Sequence, residues 1–258
     1  MYKVSVRISI ITATYNSAAT ISDTLRSVAS QDYSEIEHII VDGGSTDDTL
    51  SIVSQFPHVA RVISEKDNGI YDAMNKGLRV CTGEIIGLLN SDDFYVSTTD
   101  IRQVVEKLIT DQTDSLYGDL VYVHPEETRK VKRTWIAGKF HPRKFLYGWM
   151  PPHPTFFVRR KIYEVLGEFN TNLKSAADYE LMLRFLYKSK ISVSYLPHVL
   201  VKMRAGGMSN ATLSNRIKAN REDREAWRVN HIQPYFFTTW LKPIRKLIQF
   251  VRKPKIIT

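Results

Sequence analysis

A chain of 258 residues with 43% hydrophobic and 24% charged residues has the make-up of a globular domain, not of a disordered chain or a stapled mini-protein. One cysteine, Cys81, excludes a disulfide framework and a paired-cysteine zinc site, and it suits a reducing compartment. The net charge of +9 divides unevenly: through Leu120 there are 9 Lys+Arg against 18 Asp+Glu, and the remainder carries 27 against 9. A general nucleic-acid binder has no use for an acidic half, so no nucleic acid is expected as partner. The asymmetry reads as carboxylate chemistry early and an anion- or membrane-seeking surface late; plain solvation of helix faces is the alternative. The opening residues lack the layout of a signal peptide, and no stretch reaches the roughly 18 apolar residues of a membrane span. The expectation is a cytoplasmic protein whose mature form starts near Met1.

Strand and helix signals alternate over the first 120 residues. Arg7 to Ala13 is apolar and β-rich, as a buried parallel strand should be. Asn16 or Ser17 is placed to cap a helix carrying Ile21, Leu25 and Val28. Glu37 to Asp42 is a second strand, Gly43-Gly44-Ser45 a turn, and Thr46 or Asp47 caps a helix to about Gln55. A third strand over Arg61–Ser64 leads to a helix over Ile70–Arg79. A fourth strand, Glu84 to Asn90, stops at Ser91-Asp92-Asp93, and a helix follows from about Asp100 to Asp111. Such spacing implies βαβ crossovers and a Rossmann-like, mostly parallel sheet flanked by helices. Beyond Leu120 the rhythm changes. Leu120–Val123 and Arg129–Trp135 read as a hairpin, Thr155–Val158 and Ser192–Leu196 as strands, and Tyr179–Lys188 as a helix. A charged helix over Ala211–Val229 and a basic, apolar one from Tyr235 form a C-terminal extension. The expected organisation is a nucleotide-binding half over 1–120, a substrate-facing half over 121–210, and the extension over 211–258.

Ligands of open α/β sheets bind beyond the carboxyl ends of the strands. Three such ends carry polar groups here: Thr14-Tyr15-Asn16, Asp42, and Asp92-Asp93. Asp42 precedes two glycines, so its carboxylate suits a base N–H or ribose hydroxyls, or else an Asx turn. Asp92 and Asp93 repel each other unless a cation sits between them, and Mg²⁺ or Mn²⁺ typically takes one or two carboxylates plus phosphate oxygens; a helix-capping pair is the alternative. G-x-G-x-x-G, G-x-x-x-x-G-K-[ST], G-x-S-x-G and H-E-x-x-H are all missing, which disfavours dinucleotide, P-loop, serine-hydrolase and zinc-protease chemistry.

Taken in order, Ile10-Ile11-Thr12-Ala13-Thr14-Tyr15-Asn16, Val41-Asp42-Gly43-Gly44-Ser45-Thr46-Asp47-Asp48-Thr49 and Asn90-Ser91-Asp92-Asp93 resemble a family 2 glycosyltransferase of the GT-A fold. Glu65 to Gly77 is similar to the subgroup that builds bacterial exopolysaccharide, colanic-acid and O-antigen units, and Ala176-Ala177-Asp178-Tyr179-Glu180 resembles the family's catalytic-base segment. The resemblance covers roughly residues 7 to 210. It implies that Ala13, Tyr15 and Asp42 line the base pocket and that Asp67 helps close it. Asp92 would face the ribose, Asp93 would hold Mn²⁺ or Mg²⁺ on the diphosphate, and Asp178 would be the general base. Ala13 stands where many members have proline, and Met74 where many have arginine. Lys76, Arg204 or the Gly206–Ser209 loop are the candidates to replace that arginine.

The implied reaction is inverting transfer from a nucleoside-diphosphate sugar, a UDP-sugar by default, to a polyprenyl-diphosphate-linked glycan. The rivals are a sugar-1-phosphate nucleotidyltransferase, whose glycine-rich opening loop is absent, and a non-catalytic anionic-surface module. Asp178 also reads as a helix N-cap, and His153, among prolines, as either an acceptor contact or a rigid-loop residue. On a tail helix after Pro243, Leu247, Ile248 and Val251 cluster opposite Arg and Lys, as in a helix lying in an anionic membrane interface; packing on the core is the alternative.

Overall fold

The computed structural model describes residues 6–206 and 213–249. Its front half follows the sequence rhythm. β1 (Ile8–Thr14) is buried throughout, and α1 (Ile21–Ala29) turns Ile21, Leu25 and Val28 to the core. β2 (Ile36–Asp42), α2 (Thr49–Val53), β3 (Val59–Ser64) and α3 (Ile70–Val80) follow, then β4 (Ile85–Leu88), the short β5 (Phe94–Tyr95) and α4 (Asp100–Thr110). The start of α1 differs from the predicted cap. Asn16 adopts a positive φ of 47° and its Oδ1 accepts the Thr46 N–H at 2.8 Å, so the helix begins only after Thr20.

The back half comprises β6 (Ser115–Val123), β7 (Val131–Trp135), β8 (Phe156–Arg159), α5 (Arg160–Leu166), α6 (Ala177–Met182), which continues as one π-helical turn over Leu183–Lys188, and β9 (Val193–Arg204). The predicted hairpin is β6–β7, with Leu120 opposite Trp135 and Val121 opposite Thr134. β6 begins five residues before Leu120, so one strand serves both halves of the chain.

The strands form one sheet in the order β3-β2-β1-β4-β8-β6-β9-β5, with β7 on β6. β3, β2, β1 and β4 are parallel, as expected of βαβ crossovers; β8 is antiparallel to β4 and β6, and β9 is parallel to β6, which makes the whole mixed. The chain moves outward from β1 to β3 and then returns to place β4 on the other side of β1. The crevice between the ends of β1 and β4 is therefore a topological switch point, where such sheets bind ligands. Helices cover both faces: α4 packs on one with Ile101, Val104 and Leu108, and α3 and α6 on the other with Met74, Tyr179 and Leu181.

Two helices close the described chain, α7 (Leu213–Val229) and α8 (Thr238–Ile248). α7 is anchored by Trp227, which is fully buried and donates its Nε1–H to the Tyr179 hydroxyl at 3.0 Å. α8 lies on the 142–147 turn. Thr238 Oγ1 donates to the Leu146 carbonyl at 2.6 Å, and a Cβ on Gly148 would come within 2.5 Å of the Lys242 nitrogen. The tail helix thus starts before Pro243, and its 238–242 stretch packs on the domain. The side chains of Leu247 and Ile248, and Val251 altogether, lie outside the described residues.

Candidate active site

The parallel register puts Thr14 beside Asp42 and Asp42 beside Ser64, so the ends of β1, β2 and β3 share one rim. The loop after β4 joins it. Ser17 Oγ lies 2.8 Å from Ser91 Oγ, Thr20 Oγ1 donates to the Ser91 carbonyl at 3.0 Å, and Thr24 Oγ1 donates to the Asp93 carbonyl at 2.7 Å. Three loops far apart in sequence are thereby locked into one crevice.

On the β2 side, Ala13 is buried and Tyr15 projects, 61% exposed. Asp42 is fully buried. Its Oδ2 accepts the Gly44 N–H at 3.1 Å, the Ser45 N–H at 3.0 Å and the Ser64 hydroxyl at 2.7 Å, while its Oδ1 accepts from the Ser45 hydroxyl. A carboxylate has about four acceptor directions; three of these bonds fall on Oδ2 and one on Oδ1, so Asp42 is the centre of the Asx-type turn that the sequence offered as the alternative and shapes the rim. Asp67 sits over Gly43, where an added Cβ would meet its Oδ2 at 2.4 Å, and its Oδ1 accepts the Gly69 N–H at 2.9 Å. Only a glycine at 43 lets Asp67 close down on this rim.

On the β4 side, Asp93 is fully buried, and its Oδ2 accepts from Asn90 Nδ2 at 2.9 Å. Its Oδ1 is buried with no partner among the described residues. Burial, and then the neighbouring Asp92 carboxylate, push its pKa well above the ordinary carboxylate range. An orphaned, desolvated carboxylate oxygen is costly unless something positive completes it. Asp92 is half-buried, and burial raises its pKa as well, against the opposing pull of its own backbone N–H and of Arg204. Among the described residues no third His, Cys, Asp or Glu joins the pair to make a protein-only metal cage. The donor set of two hard oxygens fits Mg²⁺ or Mn²⁺ held jointly with ligand phosphates.

Arg204 and Lys76, offered by the sequence as diphosphate contacts, are otherwise engaged. The Arg204 guanidinium is buried and donates to the carbonyls of Pro125 (3.1 Å) and Asp92 (2.7 Å) and to the Asp23 carboxylate, so it clamps the Asp92 loop. Lys76 Nζ donates to the Lys66 carbonyl at 2.9 Å and pairs with Glu65 at 2.9 Å. Met74 is a core residue, and Gly207, Met208 and Ser209 lie outside the described residues.

Asp178 falls in the first turn of α6, where the helix dipole favours a carboxylate. It is not the cap: Ala176 holds that position, and the N–H groups of Ser175 and Ala176 donate to Glu222 Oε2 of α7 at 2.6 and 3.1 Å. The Asp178 side chain is thus left half-buried, with Oδ1 accepting the Tyr71 hydroxyl at 3.1 Å. Burial, and next the Asp178 charge, raise the Tyr71 phenol well above its usual pKa, keeping it a donor. His153 packs edge-on to Phe169 at 5.8 Å, and its Nε2 is buried without a partner. Burial lowers its pKa against the attraction of Asp178, so the ring is neutral and within reach of the same charge.

Tyr122 lies on β6. Burial raises its phenol and the charge of Arg133 opposes this, with the charges of Asp93 and Asp178 among the lesser contributions; Arg133 lies 3.7 Å over its ring. The sequence reading missed Tyr71, Tyr122 and Glu222. Only Tyr71 had a signal, since it sits inside the Glu65–Gly77 motif.

With this geometry in place, the comparisons are consistent. The family model described as Glycosyl transferase family 2 matches residues 9–167. A PGL/p-HBAD biosynthesis glycosyltransferase of Mycobacterium bovis is 31% identical over 209 residues, covering 78% of each chain. The UDP-Glc:alpha-D-GlcNAc-diphosphoundecaprenol beta-1,3-glucosyltransferase WfaP of Escherichia coli is 32% identical over 209 residues, 78% of this chain and 79% of that one. S. aureus TarS 1-349, solved in complex with UDP-GlcNAc, superposes with a TM-score of 0.67 at 21% identity, over 87% of this chain and 65% of that one. Against a longer TarS chain the protein spans 43% of the length. The GT-A architecture anticipated from the motifs is the one these likenesses share.

Proposed function

The chain belongs to glycosyltransferase family 2, and on that premise we propose that it moves a glycosyl unit from a nucleoside-diphosphate sugar, UDP-linked by default, to a polyprenyl-diphosphate-linked glycan in surface-polysaccharide synthesis, with inversion. The orphaned Oδ1 of Asp93 at the switch-point crevice carries this reading, since it asks for a cation that a sugar-nucleotide diphosphate would share. Asp93, with Asp92 beside it, would hold Mn²⁺ or Mg²⁺. When bound, that ion supplies charge neutralisation to the departing diphosphate.

The protein's own residues do the rest. Tyr15 and Asp67 border the nucleoside on a loop that Asp42 and Gly43 shape, and Ala13 floors it. Asp178 accepts the proton of the acceptor hydroxyl as its oxygen bonds to the anomeric carbon. The bond from that carbon to the phosphate oxygen breaks on the opposite face, and the electron pair leaves with the diphosphate. Tyr71 holds Asp178 through Oδ1, which directs Oδ2 at the acceptor. A lipid-borne acceptor sets the site of action at the cytoplasmic face of a membrane, with the enzyme bound peripherally.

The test is incubation with radiolabelled UDP-sugars, a polyprenyl-diphosphate-linked acceptor and Mn²⁺, with the anomeric configuration of the product read by NMR. Sugar transfer with inversion is expected. Pyrophosphate exchange would make the protein a nucleotidyltransferase, and retention of configuration would remove Asp178 from its role as base.

A further inference from the structure

One surface lies apart from the crevice and is not used by it. The linker between α7 and α8 and the 142–147 turn together expose Phe236 (92%), Trp240 (64%), Tyr235 (48%) and Tyr147 (47%). Tyr147, Tyr235, Phe236 and Phe237 form one cluster, and Trp240 follows in the first turn of α8, its N–H on the Phe237 carbonyl at 3.0 Å. Tyr235 stacks on Phe237 at 5.2 Å, Phe236 meets Phe237 edge-on at 5.2 Å, and Tyr147 lies 6.1 Å from both Tyr235 and Phe237. A contiguous exposed aromatic patch on a folded domain marks an interaction surface. It is no leftover of tail packing, because Thr238 and Lys242 already seat α8 on the domain.

The charge around the patch identifies the partner. Residues 128–163 and 228–249, the two described segments that carry this surface, contain no Asp or Glu. Arg245 Nη1 donates to the Tyr147 carbonyl at 3.2 Å, and the Arg224 guanidinium lies 6.0 Å over the Trp240 ring. Lys144, on the same turn, donates its Nζ to the Lys139 carbonyl at 2.5 Å, and its pKa is lowered by burial and by the charge of Arg245. The nearby acid of α7, Asp223, is paired with Lys242. Amphipathic aromatic rings with Arg and Lys about them suit the boundary between headgroups and acyl chains, whereas a second copy of so basic a surface would meet repulsion.

We infer that the aromatic turn Tyr235–Phe237, with Tyr147 and Trp240, is the element that inserts into an anionic lipid leaflet, and that α8 behind it is a strut. This moves the membrane contact from the tail helix foreseen in the sequence to the turn that precedes it. The inference rests on the proposed lipid-borne acceptor for its purpose, and on the patch alone for its location.

The test uses the full chain with vesicles of phosphatidylcholine, with and without phosphatidylglycerol. Co-sedimentation is expected only with phosphatidylglycerol, weakening with added salt, and accompanied by a blue shift of Trp240 emission that Trp240→Phe removes. Phe236→Ser and Trp240→Ser should each weaken partition about tenfold or more, on the scale of one buried aromatic side chain, with melting temperature unchanged. No binding to anionic vesicles overturns the inference, as does binding that both variants leave intact. A dimer that Phe236→Ser dissociates would assign the patch to a second copy and overturn it too. UDP-sugar affinity, measured on the same samples, separates the two readings: its absence beside normal vesicle binding counts against the proposed function and leaves this surface standing.

Discussion

Asp93 and Asp178 are both carboxylates near the carboxyl edge of the sheet, yet their surroundings assign them opposite tasks. Asp93 is buried with one oxygen unpartnered and pKa held up, a state that a bound cation would relieve. Asp178 is half-buried and keeps one oxygen on a phenol. Substitution should separate the two. Asp93→Asn is expected to lower turnover by about a hundredfold or more, because a metal contributes several kcal/mol at the leaving group, and the loss should appear as a failed Mn²⁺ titration. Full transfer at ordinary Mn²⁺ concentrations would end the metal assignment. Asp178→Asn should leave donor affinity as it is, measured by calorimetry with the UDP-sugar, and cut transfer by about 10²–10⁴-fold. If donor affinity fell in step with rate, Asp178 would be a structural residue of α6. Arg204 gives the complementary lesson: a guanidinium at the right rim, held by the Pro125 and Asp92 carbonyls and the Asp23 carboxylate, is a brace for the Asp92 loop.

Elements place these residues, and one of them acts from outside the crevice. α7 reaches across to α6 through Glu222, which accepts the N–H groups of Ser175 and Ala176 and does the work that a capping side chain would do from within. Glu222→Ala leaves two N–H groups at the start of α6 without their partner and frees the turn bearing Asp178. Transfer should fall about tenfold, the cost of roughly one charged hydrogen bond, while donor affinity holds; unchanged kinetics would show that α6 needs no such cap. None of this was legible in the sequence, because Glu222 and Ala176 are joined only by the tertiary fold. What was legible was local. β1 to β4 and helices α1, α3 and α4 announce themselves by apolar runs or periodic apolar residues, and Asp92-Asp93 by standing where an apolar strand stops. Misplaced boundaries have specific causes. α1 starts late because Asn16 spends its side chain on Thr46. β9 runs past Pro197, where the sequence reading ends the strand, because the β6–β9 register shifts between Tyr117 and Asp119 and leaves room for a residue that cannot donate to the ladder. Part of the hydrogen bonding of Asp42 was hidden for a similar reason, since Ser64, one of its donors, comes from the neighbouring strand.

At the scale of the whole molecule, the one continuous sheet makes a polar group buried among its strands a matter of global stability. His38 of β2 is fully buried, with one ring nitrogen 3.0 Å from Thr12 Oγ1 of β1 and the other 3.0 Å from His58 Nε2, just before β3. Burial, and then repulsion from His58, lower its pKa to about 3, so the folded protein keeps it neutral throughout the working range. An unfolded chain protonates a histidine near pH 6.5. The sign follows: the stability that His38 contributes is complete above about pH 6.5 and is lost as pH falls below it, at about 1.4 kcal/mol per pH unit, until the folded group itself titrates. His58 is shifted in the same direction and adds to the loss. Asp93 and Asp100, whose pKa values are raised, pull the other way, because they hold protons more readily when folded. The bare pH profile therefore mixes both signs, and a variant is needed to isolate the histidine. In denaturant melts at pH 7 and pH 5, wild-type protein should lose about 2 kcal/mol more than His38→Asn across that interval, whatever the variant costs at pH 7. Equal losses in the two proteins would mean that the neutral histidine buried between β1 and β3 does not set the acid sensitivity of the sheet.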